Sequence, residues 1–219
     1  MRDLQTEVQR FQKWADTYPV PVDQRSGEWE CDYDSWSELC TAVSDFVANR
    51  PFSTWSPAEV DMILYALARD NEAAYIAREI LSPSLELLLH LTQASIEFGE
   101  PDARWQLAAM LSLHGPDHPE SLRLLRILVQ DDNEYVRRMS LKALAHLGAP
   151  DVEELALEAW NRPDPDQQYA RMMALTCLQQ IGSSKLEGLL TEAEGDERQY
   201  LRQYAQRLRE KVHQGTAVD

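Results

Sequence analysis

The sequence is poor in cysteine and has no long apolar run, and both shortages exclude classes of protein. The three cysteines, Cys31, Cys40 and Cys177, show no CxxC spacing, so neither a disulfide framework nor a cysteine-rich zinc site is expected. No run of about 18 apolar residues could span a membrane, and the polar start of the chain lacks the apolar core of a signal peptide. We therefore expect a cytoplasmic protein with reduced thiols and no membrane partner.

Basic residues are also scarce. The chain has 21 Lys and Arg against 37 Asp and Glu, which gives a formal net charge of −16. Residues 1–100 hold 7 of the basic residues and 18 of the acidic ones, so the acidic excess lies mainly in this half. A negative field repels phosphate backbones and attracts basic proteins. The composition therefore favours a basic protein partner over nucleic acid.

The sequence lacks the short motifs that mark common catalytic sites. It contains no phosphate-binding loop, nucleophile elbow or zinc hydrolase helix. His114 and His118 could suggest a metal pair, but a Gly-Pro turn separates them and no third or fourth ligand is evident. We therefore predict no catalytic residues, no metal and no cofactor.

Apolar residues recur at helical spacing along most of the chain, and no stretch has the pattern of a strand. A first helix is predicted over 2–17 and a second from 34 or 35 to 49. A capping box at Ser56–Glu59 then begins a series of helix pairs. These pairs are predicted at 57–69 with 71–81, 84–98 with 102–114, 119–130 with 133–147, 150–161 with 166–181, and 184–193 with 197–213.

A repeated pattern organises the second half of the chain. Arg137 is followed by a small residue three positions on, by leucine at seven and ten, and by glycine at eleven. The same offsets from Arg171 give Ala, Leu, Ile and Gly, and Arg104 and Arg202 begin weaker copies. The four arginines lie 33, 34 and 31 residues apart. This regular self-similarity predicts a stack of helical repeats.

The pattern resembles the repeats of one family. Residues 132–148 match D-x-x-x-V-R-x-x-A-x-x-A-L-x-x-L-G, the second-helix consensus of HEAT-like repeats, and 166–182 match it with Ala for Val. The signatures of ankyrin and tetratricopeptide repeats are absent. The resemblance covers about 84–213, and the short repeats look like the bacterial class also found in phycobilin lyase subunits. It implies an all-α, α-α superhelix (solenoid) of about five helix pairs, whose second helices line a concave face.

Three groups of residues on these second helices are candidates for binding. The repeat arginines could form a cationic ladder for phosphate, but we predict that they pair with acids at neighbouring helix starts, such as Asp132 and Asp166. The tyrosines two positions earlier could pack between repeats or contact a partner. The residue after each arginine should face outwards. The predicted concave row consists of Trp105, Arg138, Met172, Gln203, Lys142, Arg207, Tyr135, Tyr169 and Tyr200.

The chain before the repeats has a different character. We predict a helical cap over 1–55, a HEAT-like array over 56–213 and a flexible tail over 214–219. Within the cap, the segment 23–38 alternates acidic and aromatic residues. It could be a solvated cap or a docking patch for a basic partner, because carboxylates speed encounter and aromatic rings supply buried area. The predicted acidic patch consists of Glu28, Trp29, Glu30, Asp32, Tyr33 and Asp34.

These observations favour a non-catalytic protein-recognition module. The sharpest form of this hypothesis is an immunity or inhibitor protein whose acidic surface neutralises a basic toxin. One alternative is a DNA-binding HEAT-like alkylation-repair glycosylase, because the second helices hold more Lys and Arg than Asp and Glu. Another is a phycobilin lyase-type chaperone, which rests on the resemblance of the repeats alone.

Overall fold

The computed structural model describes residues 2–21, 24–25, 29–163 and 167–215, and every regular element in these ranges is helical. The predicted all-α class is confirmed. The chain divides into two compact units, an N-terminal unit of residues 1–114 and a C-terminal unit of residues 115–219. Among the described helices, none combines the length and the apolar character that crossing a membrane requires.

The described residues of the N-terminal unit form five α-helices with short helical turns between them. The α-helices are α1 (Leu4–Thr17), α2 (Trp36–Asn49), α3 (Pro57–Arg69), α4 (Leu85–Ser95) and α5 (Pro101–Leu111). The predicted capping box begins α3, because the Ser56 side chain accepts from the Glu59 amide while the Glu59 carboxylate accepts from the Ser56 amide. Helices α1 and α2 both pack on α3, which also packs on α4 and α5. The boundary between the two compact units lies between residues 114 and 115, whereas the sequence predicted a cap that ends at residue 55.

An aromatic cluster fills the space between α1 and the segment that follows it. The ring of Phe11 is fully buried. Five further aromatic rings have their centroids within 4.7 to 6.3 Å of it, namely those of Trp14, Trp29, Tyr33, Trp36 and Tyr65. Aromatic side chains bury large apolar areas, so this cluster ties the segment at 29–36 to the core of the unit.

The segment predicted as a helix over 71–81 takes another form. Ala74 has a positive φ of 48°, which interrupts the chain after α3, and only Ile76–Leu81 is helical, as a π-helix. The buried carboxylate of Asp70 accepts a hydrogen bond of 2.7 Å from the amide of Ile76 and so begins this turn. Likewise, α4 ends at Ser95 and not at the predicted residue 98.

The described residues of the C-terminal unit form three successive helix pairs. They are α6 (Pro119–Leu128) with α7 (Glu134–His146), α8 (Val152–Asn161) with α9 (Gln167–Gln180), and α10 (Leu186–Glu194) with α11 (Gln199–Gly215). The members of each pair pack together, and the second helices α7, α9 and α11 lie side by side. The predicted pairs of this region are confirmed, with ends that differ by a few residues. Residues 216–219 of the predicted tail lie outside the described residues.

The repeat glycines end the second helices. Gly148 and Gly182 have positive φ values of 67° and 64°, a conformation that favours glycine. After α7, the amides of Gly148 and Ala149 donate to the carbonyls of Ala145 and Leu144. This is the Schellman arrangement, and the chain repeats it after α9. The glycine eleven positions after Arg137 and after Arg171 therefore fixes where α7 and α9 stop.

Candidate partner-binding surface

The repeat arginines anchor the turns that precede their own helices. Arg137 Nη1 donates to the carbonyl oxygens six and five residues earlier, at 2.7 and 2.8 Å. Arg202 repeats this pattern with both distances at 2.7 Å, and Arg104 bonds the carbonyl six residues earlier at 2.9 Å. These half-buried guanidinium groups stabilise a turn, which supports the predicted structural role. Asp132 contributes its carbonyl to this arrangement, and Asp166 lies outside the described residues.

Arg171 shows the predicted pairing with an acid at a neighbouring helix start. Its Nη1 lies 3.2 Å from Oδ2 of Asp196, just before α11, and its Nε donates to the carbonyl of Trp160 at 3.1 Å. Arg198 also donates to Asp196, at 2.6 and 2.7 Å. The hydrogen bonds from Arg198, together with the nearby charge of Arg171, lower the pKa of Asp196 to about 2.

Replacing Arg137 with methionine is expected to destabilise the C-terminal unit by about 2 kcal/mol, because hydrogen bonds from a charged donor contribute about 1.5–3 kcal/mol. The variant keeps the apolar stem and removes the donors to two carbonyls. Urea unfolding followed by circular dichroism measures the change. The control is Arg207→Met, an exposed arginine that bonds its own helix, for which less than about 0.5 kcal/mol is expected. Equal losses in the two variants would contradict the anchoring role.

The outer side of α7 and α9 carries an exposed group of tyrosines around one arginine. The guanidinium carbon of Arg138 lies 4.6 Å from the ring centroid of Tyr135 and 5.3 Å from that of Tyr169. Its Nε lies 3.0 Å from the carboxylate of Glu134. Tyr135 is 38% exposed and Tyr169 is 37% exposed. The guanidinium thus holds two partly exposed rings in place across neighbouring second helices.

Other members of the predicted row extend this surface. Met172 is half-buried on α9, and a hydrogen bond of 2.5 Å between Thr176 and Tyr204 joins α9 to α11. On α7 and α11 the exposed residues include Lys142, Gln203, Arg207 and Tyr200, the last of which is 65% exposed. We call the residues Tyr135, Arg138, Lys142, Tyr169, Met172, Tyr200, Gln203 and Arg207 the second-helix face.

Trp105, the remaining member of the row, belongs to the N-terminal unit. It is half-buried on α5, and its indole nitrogen donates to the carboxylate of Asp102 at 3.1 Å. It is therefore not part of the second-helix face.

The second helices of the C-terminal unit carry a basic excess, whereas the first helices α8 and α10 are acidic and the first helix α6 has two arginines and one glutamate. Helices α7, α9 and α11 carry eight Lys or Arg residues and two glutamates. Helices α8 and α10 carry six glutamates and no basic residue. The second helices are thus locally basic within a strongly acidic chain. A partner segment that docks on them would be complementary if it is acidic, although the net charge of the whole chain favours a basic partner.

At Arg138 the second-helix face borders a crevice that is too small for an organic ligand. This crevice, between α7, α8 and α9, has a volume of about 20 Å³. This is room for about one water molecule. Within the described residues, no group of three His, Cys, Asp or Glu side chains could hold a metal ion. His114, considered above as a metal ligand, instead contacts the carbonyl oxygen of Ser82 through Nε2 at 2.8 Å.

A family model describing HEAT repeats matches the chain twice, over residues 88–168 and 121–208. Together the two matches cover more than half of the chain. The chain belongs to the HEAT repeat family. The predicted HEAT-like repeat architecture is confirmed by this match and by the packing of the helix pairs. The match identifies HEAT repeats in general and does not identify the phycobilin lyase-type subfamily. The search of curated proteins found no match.

HEAT repeats indicate a repeat-type scaffold for protein interactions, and the fold is generally non-enzymatic. In this HEAT repeat protein the largest exposed aromatic residues of the C-terminal unit lie on the second helices. These helices therefore provide the candidate surface for partner binding.

The structure corrects the extent of the predicted acidic patch. Glu30 is 3% exposed and its carboxylate lies 3.6 Å from the guanidinium of Arg69, while Tyr33 is buried in the aromatic cluster. Neither can belong to an exposed docking surface, because the rings around Phe11 pull this segment into the core. Asp32 and Asp34 are exposed, Trp29 is half-buried and stacks on Trp14, and Glu28 lies outside the described residues. That the exposed members bind a partner stays a prediction.

Sequence reasoning missed a cavity in the N-terminal unit, beside α2 and the turn at 69–75. One signal could have suggested it. Ser37, Cys40, Thr41 and Ser44 lie at helical spacing on one face of α2, and all four side chains are small. A helix face of small residues next to a buried acid leaves space that larger side chains would fill.

Proposed function

We propose that this HEAT repeat protein is a non-catalytic protein-recognition module that binds its partner through the second-helix face. The observation that carries the proposal is the group formed by Arg138, Tyr135 and Tyr169, in which two partly exposed rings are held by one guanidinium. Tyrosine and arginine are enriched among the residues that dominate binding energies. Because these rings are already positioned, binding would cost less side-chain entropy.

The rest of the face fits the same role. Tyr200 is the most exposed large aromatic residue of the described chain. Its hydroxyl group can be hydrated when no partner is bound, while its ring supplies apolar area for binding. Lys142 and Arg207 lie at exposed positions of α7 and α11. A partner segment with apolar and acidic side chains would complement this part of the surface.

The finer proposal is that the partner as a whole is basic, with an immunity protein against a basic toxin as its sharpest form. Its support is the net charge of −16, which speeds encounter with a positively charged protein. Reversing the charge of the exposed acids Asp32 and Asp34 tests the contribution of the N-terminal unit. If association rate and salt dependence both stay unchanged, the acidic segment does not steer the partner.

The double variant Tyr169→Ala, Tyr200→Ala is expected to weaken partner binding about tenfold to thirtyfold, the range of two moderate interface contacts. The partner is first identified by affinity capture from nuclease-treated cells, and its dissociation constant is then measured with purified proteins. Because both rings are partly exposed, thermal stability should change little.

The matched control for this variant is Ile127→Ala. Ile127 is 39% exposed, and it lies on α6, a first helix. Its replacement should leave the affinity unchanged. Loss of affinity in Ile127→Ala with none in the tyrosine variant would move the binding site to the other helices.

A second candidate function is DNA binding of the alkylation-repair type, which the basic excess of α7, α9 and α11 favours. Its test is duplex DNA at about 50 mM salt, where weak electrostatic contacts are detectable. If the affinity for DNA falls steeply with salt, and the double variant Lys142→Glu, Arg207→Glu loses this dependence, the proposed function becomes nucleic-acid binding and not protein recognition. Absence of a complex at this salt removes the DNA alternative.

A further inference from the structure

The N-terminal unit contains a cavity of about 660 Å³. It is bounded by the helical turn Trp29–Asp32, by α2 and by the segment after α3. This volume falls within the range of about 300–1,000 Å³ that is usual for small-molecule sites. The residues that matter for its chemistry are Glu30, Trp36, Cys40, Arg69, Asp70 and Tyr75.

Local sequence explains why this space is open. Between Trp36 and Asp45, the residues of α2 that line the cavity all have small side chains, namely Ser37, Cys40, Thr41 and Ser44. On the other side, the positive φ of Ala74 turns the chain before the π-helix. Tyr75, which follows this turn, is 49% exposed and also lines the cavity. The cavity thus has small residues on one side and aromatic rings at Trp36 and Tyr75.

The charges around the cavity are unbalanced. Glu30 is almost fully buried, and Arg69 lies 3.6 Å from its Oε1 but is also paired with Glu100. One guanidinium therefore serves two carboxylates. Asp70, which is buried, Asp45, which is half-buried, and Glu72, which is exposed, add three more acids to the lining. The cavity therefore carries more negative than positive charge.

The buried carboxylate of Glu30 also has an unused acceptor. Among the described residues, no hydrogen-bond donor reaches its Oε2. A buried acceptor without a partner costs free energy. Burial raises the pKa of Glu30 and also that of Asp70, because both carboxylates are removed from water. Burial raises the pKa of the Cys40 thiol to about 11, so this side chain stays neutral and adds no charge.

We propose that this cavity binds a small organic cation, an ammonium or guanidinium group carried on an apolar body. A positive nitrogen balances the excess of carboxylates and donates hydrogen bonds to acceptors such as Glu30. Trp36 and Tyr75 provide aromatic surface for the cation and for the apolar body. An anion is repelled by the same carboxylates, and a neutral ligand of the same shape leaves the charge unbalanced.

The test is isothermal titration of the full chain with 2-phenylethylammonium, with neutral 2-phenylethanol and with anionic phenylacetate. The ammonium compound is expected to bind at least tenfold more tightly than the alcohol, and phenylacetate should not bind. Glu30→Gln is expected to weaken the ammonium at least tenfold while leaving the weak binding of the alcohol unchanged. The matched control is Asp61→Asn, which makes the same change of charge at an exposed position of α3 outside the cavity.

A second variant keeps the test decisive if Glu30→Gln unfolds. Thr41→Trp places a large side chain at an exposed position of α2 that lines the cavity, so it should block binding without loss of fold. Equal binding of the ammonium and the alcohol would overturn the proposal, as would full binding by Thr41→Trp. In the unmodified protein, NMR shifts caused by the ammonium should cluster at Trp36 and Tyr75, and shifts confined to other residues would also overturn it.

The same cationic group occurs in free amines and in the side chains of proteins. A blocked arginine, N-acetylarginine methylamide, distinguishes these sources. Tighter binding of this probe than of 2-phenylethylammonium would assign the cavity to a partner's side chain, and weaker binding assigns it to a free amine. Absence of binding by both probes overturns the proposal.

Discussion

Replacing Phe11 with alanine is expected to destabilise the N-terminal unit by about 3–5 kcal/mol, the usual loss for a buried phenylalanine. The ring is fully buried, and it is the common neighbour of five other aromatic rings. Its removal therefore loses buried apolar area and edge-on contacts between rings. It also leaves a cavity between α1 and the segment at 29–36. Urea unfolding followed by tryptophan fluorescence measures the loss, since Trp14, Trp29 and Trp36 all lie in the cluster.

The control for this variant is Phe11→Leu, which keeps most of the apolar volume and should lose less than half as much. If Phe11→Ala unfolds at the same midpoint urea concentration as the wild type, the Phe11 ring does not hold the cluster together. A further consequence follows for the cavity, because Trp36 contacts Phe11 and also lines the cavity. Phe11→Ala should therefore weaken binding of 2-phenylethylammonium even in conditions where the unit stays folded.

The architecture of the C-terminal unit could be predicted from sequence because its signals are local. The offsets from Arg137 to Gly148 mark one helix, its buried side and its end within twelve residues. The glycine is required by a positive φ, and the arginine bonds carbonyls only five and six positions away. The glycine recurs after α9 and the short-range arginine contacts recur at Arg202, so the pattern is visible without knowledge of tertiary contacts.

The acidic-aromatic segment could not be predicted in the same way. Alternating acids and aromatic rings suit a solvated surface and a partly buried turn equally well. The outcome depends on Phe11 and Arg69, which are distant in sequence and draw Tyr33 and Glu30 inwards. The same limit applies after α3, where a positive φ at Ala74 replaces the predicted helix start.

The candidate binding face was predicted in part. Helical spacing indicated that Arg138 and Lys142 would lie on the outer side of their helix, and equivalent positions in the repeats indicated a row of tyrosines. The contact of Arg138 with Tyr169 could not be foreseen, because it joins neighbouring helices. The cavity escaped detection since its charged lining comes from three separate segments of the N-terminal unit.

Replacing Trp160 with alanine is expected to destabilise the C-terminal unit by about 3–5 kcal/mol. The indole is 2% exposed, and the guanidinium carbon of Arg171 lies 4.7 Å from its ring centroid. The variant removes this ring but keeps the carbonyl of residue 160, to which Arg171 donates. The loss should therefore come from packing and cation–π contact, and the turn-anchoring hydrogen bond should remain. Urea unfolding of the variant measures it.

A double-mutant cycle of Trp160→Phe with Arg171→Met separates the two contributions. Phenylalanine keeps an aromatic face of smaller area, so part of the contact with the guanidinium survives. A coupling energy of about 0.5–1 kcal/mol between the two positions is expected for a cation–π contact near the surface. If the two losses add without coupling, Arg171 acts through the Trp160 carbonyl and Asp196 alone, and the stacked ring contributes only its burial. With coupling, the ring and the carbonyl of one residue both position the same arginine, which explains why this repeat tolerates a contact pattern that differs from that of Arg137 and Arg202.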